Sequence, residues 1–396
     1  MDVHYFYIYS NCDYSTKSAA ATRMMYYAKA LADEENNVYL VSCCSSKLAQ
    51  DKFVEIEPNI FVLEKKKLTQ NYFSTLTFLI DLNNFSKNKS AKNTFILDPY
   101  SRFYIQFITV FYMIFIKKNK VYYELNEVVK HTSYFHNPIS LKRIKYSLKK
   151  ILHRPIFTIT DTLMAFYEGL ICISTNIEDY GKRYNKNTLR IPILTDPDIT
   201  IKTSGATYTK NNLFNIGFSG SIVPSKENLL EFAEIVKQAN ENSYKVAFNL
   251  CGTISKRDHQ LLIEDKNDDN TIKYYGNLNQ KEFSTFLYQQ DLLVIPRGYT
   301  LQNRYGFSTK LSDYLNHKRV ILITDVSDNK LYIKDGVNGF VVPPNNKKLM
   351  YEKLIYIIEN FKEIEESIKA NAYKTSKEKF DYRLYKKPLQ NFLKST

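Results

Sequence analysis

The sequence has no tryptophan, few cysteines, and no CxxC pair of the kind that holds structural zinc. Its five cysteines are odd in number, and most lie in apolar, strand-like runs. They are Cys12, Cys43, Cys44, Cys172 and Cys251. Secreted disulfide frameworks use an even number of paired cysteines, so this pattern favours reduced core residues in a cytosolic protein.

Long apolar runs and targeting signals are also missing. The first residues, MDVHYFYIYS, contain no basic region followed by an apolar stretch and a small-residue cleavage site, which argues against a secretory signal. The longest apolar run, 104–116, is interrupted by Gln106 and Thr109 and is shorter than the about 20 residues of a membrane-spanning helix. We therefore expect a cytoplasmic protein in which 104–116 form a buried helix.

What the chain does have is length and apolar material. Its 396 residues are 44% hydrophobic and include 32 Tyr and 25 Phe. This length exceeds what one hydrophobic core usually serves, so the composition predicts two globular domains.

Positive charge is concentrated in one stretch. The formal net charge is +14, and between Lys117 and Arg154 ten Lys or Arg accompany only Glu124 and Glu127, a local net charge of +8. Such a patch attracts a polyanion, either nucleic acid or an anionic membrane surface.

Within this stretch, the residues after Ser140 follow a helical pattern with one apolar face. The basic residues on its other faces are Lys142, Arg143, Lys145, Lys149 and Lys150. Either the apolar stripe packs on the protein's own sheet, or the helix contacts anionic lipid. Nucleic acid fits less well, because no known binding motif or aromatic stacking platform is present.

Apolar strands alternate with helical patterns in both halves of the chain. Six strands are predicted in each half: 3–10, 37–44, 59–64, 94–98, 120–125 and 170–175, then 214–220, 244–252, 272–276, 291–296, 319–325 and 339–342. Buried strands alternating with helices indicate parallel sheets covered on both faces, hence two Rossmann-like α/β domains with a ligand cleft between them.

The predicted boundaries follow composition. An N-terminal domain spans 1–190, a linker rich in Pro, Thr, Ser and Gly spans 191–212, and a second domain spans 213–376. We expect the last segment, 377–396, to form a helix over about 377–393 that crosses back to the N-terminal domain.

The run 305–342 resembles family 4 retaining glycosyltransferases of the GT-B fold. Those enzymes carry an acidic residue on a helix, a strand ending in Thr-Asp, and an "xDGxNGF" turn. Here these places are taken by Asp313, by 320–325, and by 334–340. The resemblance implies transfer from a nucleoside diphosphate sugar, with no bound cofactor or metal and a slight preference for a UDP-sugar. It implies that 213–376 bind the donor nucleotide and 1–190 the acceptor, and it assigns Asp313 to the ribose hydroxyls.

One departure concerns the first of the family's two acids, seven positions before the second. This place falls on Tyr305, so an acid that usually touches the donor sugar is missing. The string YGFSTK resembles a branch of the family with a Pro-Arg pair about ten residues upstream, and this chain has Pro296 and Arg297. The departure therefore fits a subgroup.

Catalysis in this family requires fixed cations where a diphosphate leaves. We predict Lys226, Arg297 and Lys310 in this role. Lys226 keeps the Lys place of the family's "GRLxxxK" string, whereas Ser221 replaces its Arg. The remaining predicted donor contacts lie in loops after strands and in the YGFSTK string: Gly252, Gly276, Gly306, Phe307, Ser308 and Thr309. Gly252 and Gly276 also read as ordinary tight-turn glycines.

In the N-terminal half, family members carry a Gly-Gly loop before an Arg-bearing helix. Here Ser18, Ala19 and Ala20 stand in for the glycines, and Arg23 keeps the Arg place. We predict that Ser18 and Arg23 lie on the acceptor side.

Three further residues are predicted acceptor contacts: Glu124, Glu127 and His131. The two acids end a predicted strand, and a glycosidase pair is the alternative for them, disfavoured because they lie three residues apart and no barrel pattern accompanies them.

These features predict a retaining glycosyltransferase that serves the biosynthesis of a surface polysaccharide or another lipid-linked glycan. Two alternatives stay open. Tyr305, Ser221 and the missing glycines fit a catalytically silent GT-B subunit that binds glycan or a partner enzyme. A sugar-nucleotide epimerase on the same fold would convert the donor without any acceptor.

Overall fold

The computed structural model describes residues 3–10, 12, 14, 18–42, 53–64, 72–87, 92–98, 103–131, 155–199, 213–264 and 271–394. The chain divides into two compact units. Unit 1 comprises Met1–Leu194 and Tyr382–Thr396, and unit 2 comprises Thr195–Asp381. Each unit has its own mainly parallel sheet, which confirms the predicted pair of Rossmann-like α/β domains.

The sheet of unit 1 has eight strands in the order β3-β4-β2-β1-β5-β6-β7-β8, with β3 antiparallel to β4 and the other pairs parallel. Its strands are β1 His4–Ser10, β2 Asn36–Ser42, β3 Val54–Glu57, β4 Ile60–Glu64, β5 Asn93–Asp98, β6 Val121–Leu125, β7 Gly169–Cys172 and β8 Thr188–Arg190. All six predicted strands are present. The unpredicted β3 and β8 are short edge strands without a buried apolar run.

Aromatic side chains pack across the strands of unit 1. Tyr7 stacks on Tyr39 of β2 and on Phe95 of β5, with ring centroids 5.3 and 5.1 Å apart, and Tyr39 stacks on Phe61 of β4 at 4.9 Å. Such cross-strand aromatic pairs stabilise the sheet and fix its register. They account for part of the high Tyr and Phe content.

Helices cover this sheet. They are Ala19–Leu31, Tyr72–Lys87, Phe103–Ile108 with its π-helical continuation Thr109–Ile116, 155–163, Thr175–Gly181 and Lys386–Lys394, with short 3-10 turns at Val129–His131 and Met164–Phe166. The predicted helix over 104–116 is present, but only one side of it is buried. The predicted basic helix after Ser140, with Lys142, Arg143, Lys145, Lys149 and Lys150, lies outside the described residues.

The C-terminal segment belongs to unit 1 from Tyr382 onward. Leu389 and Leu393 are buried there, and Gln390 donates hydrogen bonds to the carbonyl oxygen of Leu31 and to Oδ2 of Asp33. The segment is not one helix as predicted. It runs as a π-helical turn at Ser376–Phe380, a 3-10 turn at Tyr382–Tyr385 and the helix Lys386–Lys394.

The sheet of unit 2 has six parallel strands in the order β11-β10-β9-β12-β13-β14. They are β9 Phe214–Ser219, β10 Val246–Cys251, β11 Ile272–Tyr274, β12 Leu292–Ile295, β13 Val320–Thr324 and β14 Phe340–Val342. All six were predicted. The apolar residues of these strands and of the long helix Lys347–Thr375 form one continuous core.

The helices of unit 2 are Pro224–Glu227, Leu229–Glu241, Lys256–His259 with the π-helical Gln260–Glu264, Gln280–Gln289, Leu301–Tyr305, Lys310–Asn316, Asn329–Tyr332 and Lys347–Thr375. The predicted helix 226–240 is divided at Asn228, which has a left-handed backbone with φ 55°. This break turns the short helix Pro224–Glu227 so that Glu227 is buried while Lys226 is half-buried.

Candidate active site

Three adjacent strands of unit 2 end in glycine turns. Gly220 follows β9 and donates to the carbonyl oxygen of Cys251 at 2.9 Å, and Gly252 follows β10 and donates to that of Gly276 at 2.7 Å. Gly220, Gly252 and Gly276 all have positive φ. A Cβ at Gly252 would lie 1.9 Å from the carbonyl oxygen of Gly220. Any residue other than glycine at position 252 would therefore prevent the two turns from lying this close together.

The first of these turns abuts a cluster of buried charges. Arg297, just after β12, donates from Nε and Nη2 to the two carboxylate oxygens of Glu227 at 2.9 and 2.8 Å. Nζ of Lys310 lies 3.1 Å from Oε1 of the same carboxylate, and a Cβ at Gly220 would lie 3.0 Å from Cε of Lys310. All three charged side chains are buried. Two of the three predicted cations, both in the connection between β12 and β13, therefore converge on one carboxylate.

The pKa values of the cluster follow from burial and charge. Although burial opposes it, the charges of Arg297 and Lys310 hold the pKa of Glu227 far below its ordinary value. Burial lowers the pKa of Lys310, and Glu227 opposes this shift. At neutral pH the arrangement is two cations around one carboxylate, with a residual positive charge.

Asp313 lies on the same short helix as Lys310, one turn further on. Its side chain is half-buried, and no hydrogen bond or ion pair to its carboxylate occurs within the described part of the chain. Burial raises the pKa of Asp313 to about 7, against the opposing charge of Lys310. A carboxylate without a partner can accept hydrogen bonds from vicinal hydroxyls, as the sequence prediction of ribose binding requires.

The donor loop predicted from YGFSTK precedes this helix. The side chain of Phe307 is buried against Tyr332 and Phe380, so only its backbone can meet a ligand. Oγ of Ser308 is buried and has no hydrogen-bond partner among the residues that the structure describes. Gly306 ends the helix Leu301–Tyr305 by donating to the carbonyl oxygen of Gln302, and Thr309 is the N-cap residue of Lys310–Asn316.

The remaining predicted donor residues lie nearby in unit 2. Ser221 is exposed directly after Gly220. The backbone carbonyl of Lys226 accepts a hydrogen bond from the buried Asn303 at 2.8 Å, which ties the helix Pro224–Glu227 to the helix Leu301–Tyr305. Tyr305 is half-buried at the end of the latter helix.

The "xDGxNGF" turn is closed by its own side chains. Oδ1 of Asp335 accepts from the amide of Val341 at 2.9 Å, and Asn338 accepts from the amide of Lys334 and donates to the carbonyl oxygen of Tyr332, both at 2.8 Å. These contacts hold the turn between β13 and β14. The structure thus gives these motif residues a structural role.

In unit 1, the predicted acceptor residues Arg23 and Glu124 bind each other. Nε of Arg23 lies 2.6 Å from Oε1 of Glu124, and Tyr27 donates to Oε2 at 3.0 Å. Arg23 also donates to the carbonyl oxygens of Ile191 and Pro192. Both charged side chains are fully buried, and burial raises the pKa of Glu124 despite Arg23. The pair joins the first helix, β6 and the chain after β8, and the acceptor-side role of the two residues stays a prediction.

The other predicted acceptor residues are more accessible. Ser18 is the exposed N-cap of Ala19–Leu31, with its hydroxyl accepting from the amide of Ala21 at 3.2 Å. Glu127 and His131 are half-buried after β6, and the ring of His131 contacts that of Tyr180 at 6.4 Å.

Sequence analysis missed two residues of the site. Glu227 sits beside a predicted cation, and only the break at Asn228 turns it inward. Tyr314 is completely buried, and its hydroxyl accepts from the amide of Ser219 at 2.9 Å, which anchors the Asp313 helix to the end of β9. The one sequence feature that could have identified Tyr314 is its hydroxyl, which directly follows Asp313 at a helix position expected to be buried.

Known proteins resemble this chain in sequence over part of unit 2 and in fold over nearly its whole length. Residues 214–360 match the family described as Glycosyl transferases group 1. The matched stretch runs from β9 into the long helix Lys347–Thr375, so it contains the glycine turns, the charged cluster and Asp313. The chain is a glycosyltransferase. No curated protein matches its sequence.

Solved structures resemble this glycosyltransferase over nearly its whole length. They include sucrose-phosphate synthase from Thermosynechococcus elongatus, with TM-score 0.74, 11% identity and 98% of each chain covered. Anabaena HepE in complex with UDP-glucose has TM-score 0.70 and 12% identity over 99% of this chain and 100% of that one. The trehalose-6-phosphate synthase OtsA has TM-score 0.71 and 12% identity over 99% of each chain. At these identities the likeness shows the fold, which is GT-B.

Two searches of the described residues gave negative results. No group of three or more His, Cys, Asp or Glu is placed to hold a metal ion. Among the helices of the same residues, none combines the length and apolarity needed to cross a membrane.

Proposed function

We propose that this glycosyltransferase belongs to family 4, takes a sugar from a nucleoside diphosphate sugar, with a UDP-sugar favoured, and retains the anomeric configuration. The observation that carries the proposal is the convergence of Arg297 and Lys310 on Glu227 in unit 2, with Asp313 one turn beyond Lys310. Anabaena HepE, whose structure contains UDP-glucose, has the same fold.

The charged cluster suits a departing diphosphate. As the bond between the sugar and the diphosphate breaks, negative charge grows on the leaving oxygen, and cations already held in place stabilise it without reorganising. Glu227 fixes Arg297 and Lys310 while leaving a net positive charge. Lys226, on the same short helix as Glu227, is the third predicted cation.

The glycine turns and the Asp313 helix supply the other donor contacts. Gly220, Gly252 and Gly276 allow the backbone to approach a nucleotide, and Ser221 and the polar atoms of 306–309 follow in the same region. The carboxylate of Asp313 accepts hydrogen bonds from the ribose hydroxyls. The buried Ser308 hydroxyl retains hydrogen-bonding capacity for a polar ligand.

In the proposed transfer, the sugar C1–O(phosphate) bond breaks and the C1–O(acceptor) bond forms on the same face of the sugar. The acceptor hydroxyl loses its proton to the departing diphosphate oxygen, so no protein base is required. The nucleoside diphosphate leaves with the electron pair of the broken bond.

For the biological setting, we propose a glycan or lipid-linked acceptor in surface polysaccharide biosynthesis, at the inner face of the cell membrane. The support is the net charge of +8 between Lys117 and Arg154. Basic segments of this kind bind anionic lipid, with each Lys or Arg contributing about 1 kcal/mol.

A donor panel tests the catalytic proposal. UDP-, GDP-, ADP- and dTDP-sugars are added singly, and thermal stabilisation, release of nucleoside diphosphate and the anomeric configuration of any product are measured. Stabilisation and slow hydrolysis with one nucleotide class support the proposal. A product of inverted configuration would contradict retention.

A catalytically silent subunit is the second candidate, and the observation that favours it is Tyr305 in place of the first acid. Such a subunit neither releases nucleotide nor gains stability from any donor. The same panel therefore separates the two candidates.

A further inference from the structure

The helical segment 103–116 of unit 1 exposes an apolar side. Of residues 105–116, those that are exposed are Phe107, Phe111, Phe115 and Ile116, with exposed fractions of 44, 56, 45 and 52%. The opposite side, which includes Thr109 and Met113, is buried. A helix at a protein–water boundary normally places polar residues outward, and this one does the reverse.

Phe166, 46% exposed, extends this surface from the neighbouring 3-10 turn. Its ring packs edge-on against that of Phe115 with centroids 5.1 Å apart, and the rings of Phe107 and Phe111 lie parallel at 6.5 Å. We call Phe107, Phe111, Phe115, Ile116 and Phe166 the aromatic face. It contains every exposed Phe in the part of the chain that the structure describes.

A contiguous exposed apolar patch marks an interaction site, unlike a single exposed apolar residue. The charge beside it indicates which kind. Lys117 and Lys118 follow Ile116 directly, and they open the stretch to Arg154 with its net charge of +8. A second copy of the chain would bring two such stretches together, and their repulsion disfavours that partner.

Apolar rings flanked by cations match the boundary between lipid headgroups and acyl chains. There, apolar side chains are buried in the outer part of the bilayer while Lys and Arg meet anionic headgroups. We propose that the aromatic face inserts into the surface of an anionic membrane. This inference rests on the membrane setting proposed above and adds a specific apolar contact to its electrostatic one.

The absence of tryptophan gives a direct probe of this contact. Phe111→Trp places a single tryptophan on the aromatic face, and Leu331→Trp places one at a similarly exposed site, 57%, in unit 2. With vesicles of phosphatidylcholine and phosphatidylglycerol, we expect the F111W emission to shift to the blue and to be quenched by brominated lipid. The L331W emission should not change.

Vesicle flotation measures the affinity. Phe111→Ser with Phe115→Ser should weaken binding about tenfold or more, because two apolar rings are lost from the contact. The matched control, Leu331→Ser with Val337→Ser, removes two exposed apolar side chains from unit 2 and should float like the unmodified protein. High salt screens the electrostatic contribution to membrane binding but not the apolar one. The difference in flotation between F111S/F115S and L331S/V337S should therefore persist in high salt.

Four outcomes decide the proposal. Blue shift and weakened flotation, with unchanged donor hydrolysis and melting temperature, support it. If the unmodified protein floats, but the F111W emission does not change and F111S/F115S floats as well as L331S/V337S, the aromatic face is not the contact. The membrane setting would still stand. If the unmodified protein does not float, both fail, while donor turnover still tests the transferase. A lower melting temperature of F111S/F115S would show that the face packs within the protein and would also overturn the inference.

Discussion

Arg297 and Glu227 form a buried ion pair with two hydrogen bonds, from Nε to Oε2 at 2.9 Å and from Nη2 to Oε1 at 2.8 Å. Lys310, the first residue of the helix Lys310–Asn316, reaches the same carboxylate. A paired geometry of this kind fixes the guanidinium plane, and the shared carboxylate keeps two like charges close together. Glu227 therefore determines both the positions of Arg297 and Lys310 and the net positive charge of the cluster.

Glu227→Gln should separate these two effects. Loss of the carboxylate charge raises the local positive potential, so donor KM should stay the same or fall. Because Arg297 and Lys310 are no longer held in place, kcat should fall about tenfold or more. Glu234→Gln, a surface change on the next helix, is the control. A rise in KM with unchanged kcat would contradict the positioning role.

Glu227 also predicts a pH effect on stability. Its pKa in the folded protein lies below the ordinary value of 4.5, so its stabilising contribution is present above about pH 4.5 and is lost as the pH falls further. Chemical unfolding between pH 3 and pH 7 should show a smaller loss for Glu227→Gln than for the unmodified protein.

The phosphate role of Lys310 can be isolated by a double-mutant cycle. Lys310→Met should weaken donor binding about tenfold to a hundredfold, the usual effect of losing one charge-assisted contact. Adding Glu227→Gln restores charge balance, so the double variant should regain part of the stability but none of the donor affinity. Lys362→Met, at an exposed site of unit 2, is the control. If Arg297→Ala with Lys310→Ala left transfer intact, the assigned phosphate site would be wrong.

In unit 2, five strands were predictable because each is a mainly buried apolar run followed by a turn residue; they are β9, β10, β12, β13 and β14. The edge strand β11 was also predicted, although only its Ile272 is buried. The edge strands β3 and β8 were not, since neither has such a run. The break at Asn228 was also unpredictable, because neither glycine nor proline marks that position and only a left-handed backbone at one residue separates the two helices.

The predicted site shows the same division. The predicted residues that lie together in unit 2 are Arg297, Lys310 and Asp313. They could be predicted because the family resemblance gives their positions relative to the strands. Glu227 was not predicted, because its role depends on ion pairs with Arg297 and Lys310, which lie 70 and 83 residues away in the sequence. Arg23 was assigned to the acceptor side from its place in the family's Arg-bearing helix, and Glu124 from its position at a strand end. That the two side chains bind each other could not be predicted, because they lie 101 residues apart in the sequence.

The close approach of two glycine turns predicts a difference between two otherwise similar substitutions. Both Gly252 and Gly276 have positive φ, so Ala strains the backbone at either site by about 1 kcal/mol. At Gly252 the new Cβ would also overlap the Gly220 carbonyl, whereas at Gly276 nothing lies within 4 Å. Gly252→Ala should therefore lower both the melting temperature and donor affinity well beyond Gly276→Ala. Equal effects would show that the contact is unimportant.

The buried pair in unit 1 predicts a stability defect. Arg23→Met leaves Glu124 buried without its cation, which should cost about 3 to 5 kcal/mol of unfolding free energy. Adding Glu124→Gln should recover much of this, while acceptor KM of the folded protein stays unchanged. An Arg23→Met variant of normal stability with a raised acceptor KM would instead restore the acceptor role.

Asp313 predicts that donor affinity depends on pH near neutrality. Its pKa of about 7 means that the carboxylate is mostly protonated at pH 6 and mostly ionised at pH 8. If the ionised form accepts both ribose hydroxyls, donor binding should be about tenfold weaker at pH 6 than at pH 8.

The ligand for this measurement must be an intact nucleoside diphosphate sugar, because a free nucleoside diphosphate has a terminal phosphate that itself titrates with a pKa of about 6. Asp313→Asn should bind more weakly and lose the pH dependence.

Stability should change in the opposite direction. Because the folded pKa of Asp313 lies above its ordinary value of 3.8, the folded state retains a proton that the unfolded chain has lost, and stability falls as the pH rises from about 4 to about 7. Above pH 7, Asp313→Asn should therefore be more stable than the unmodified protein by about 1 to 2 kcal/mol, and near pH 4 the two should match. A variant that binds donor more weakly yet unfolds later at pH 8 has lost a ligand contact rather than a structural one, since a structural role for the carboxylate would move both quantities together.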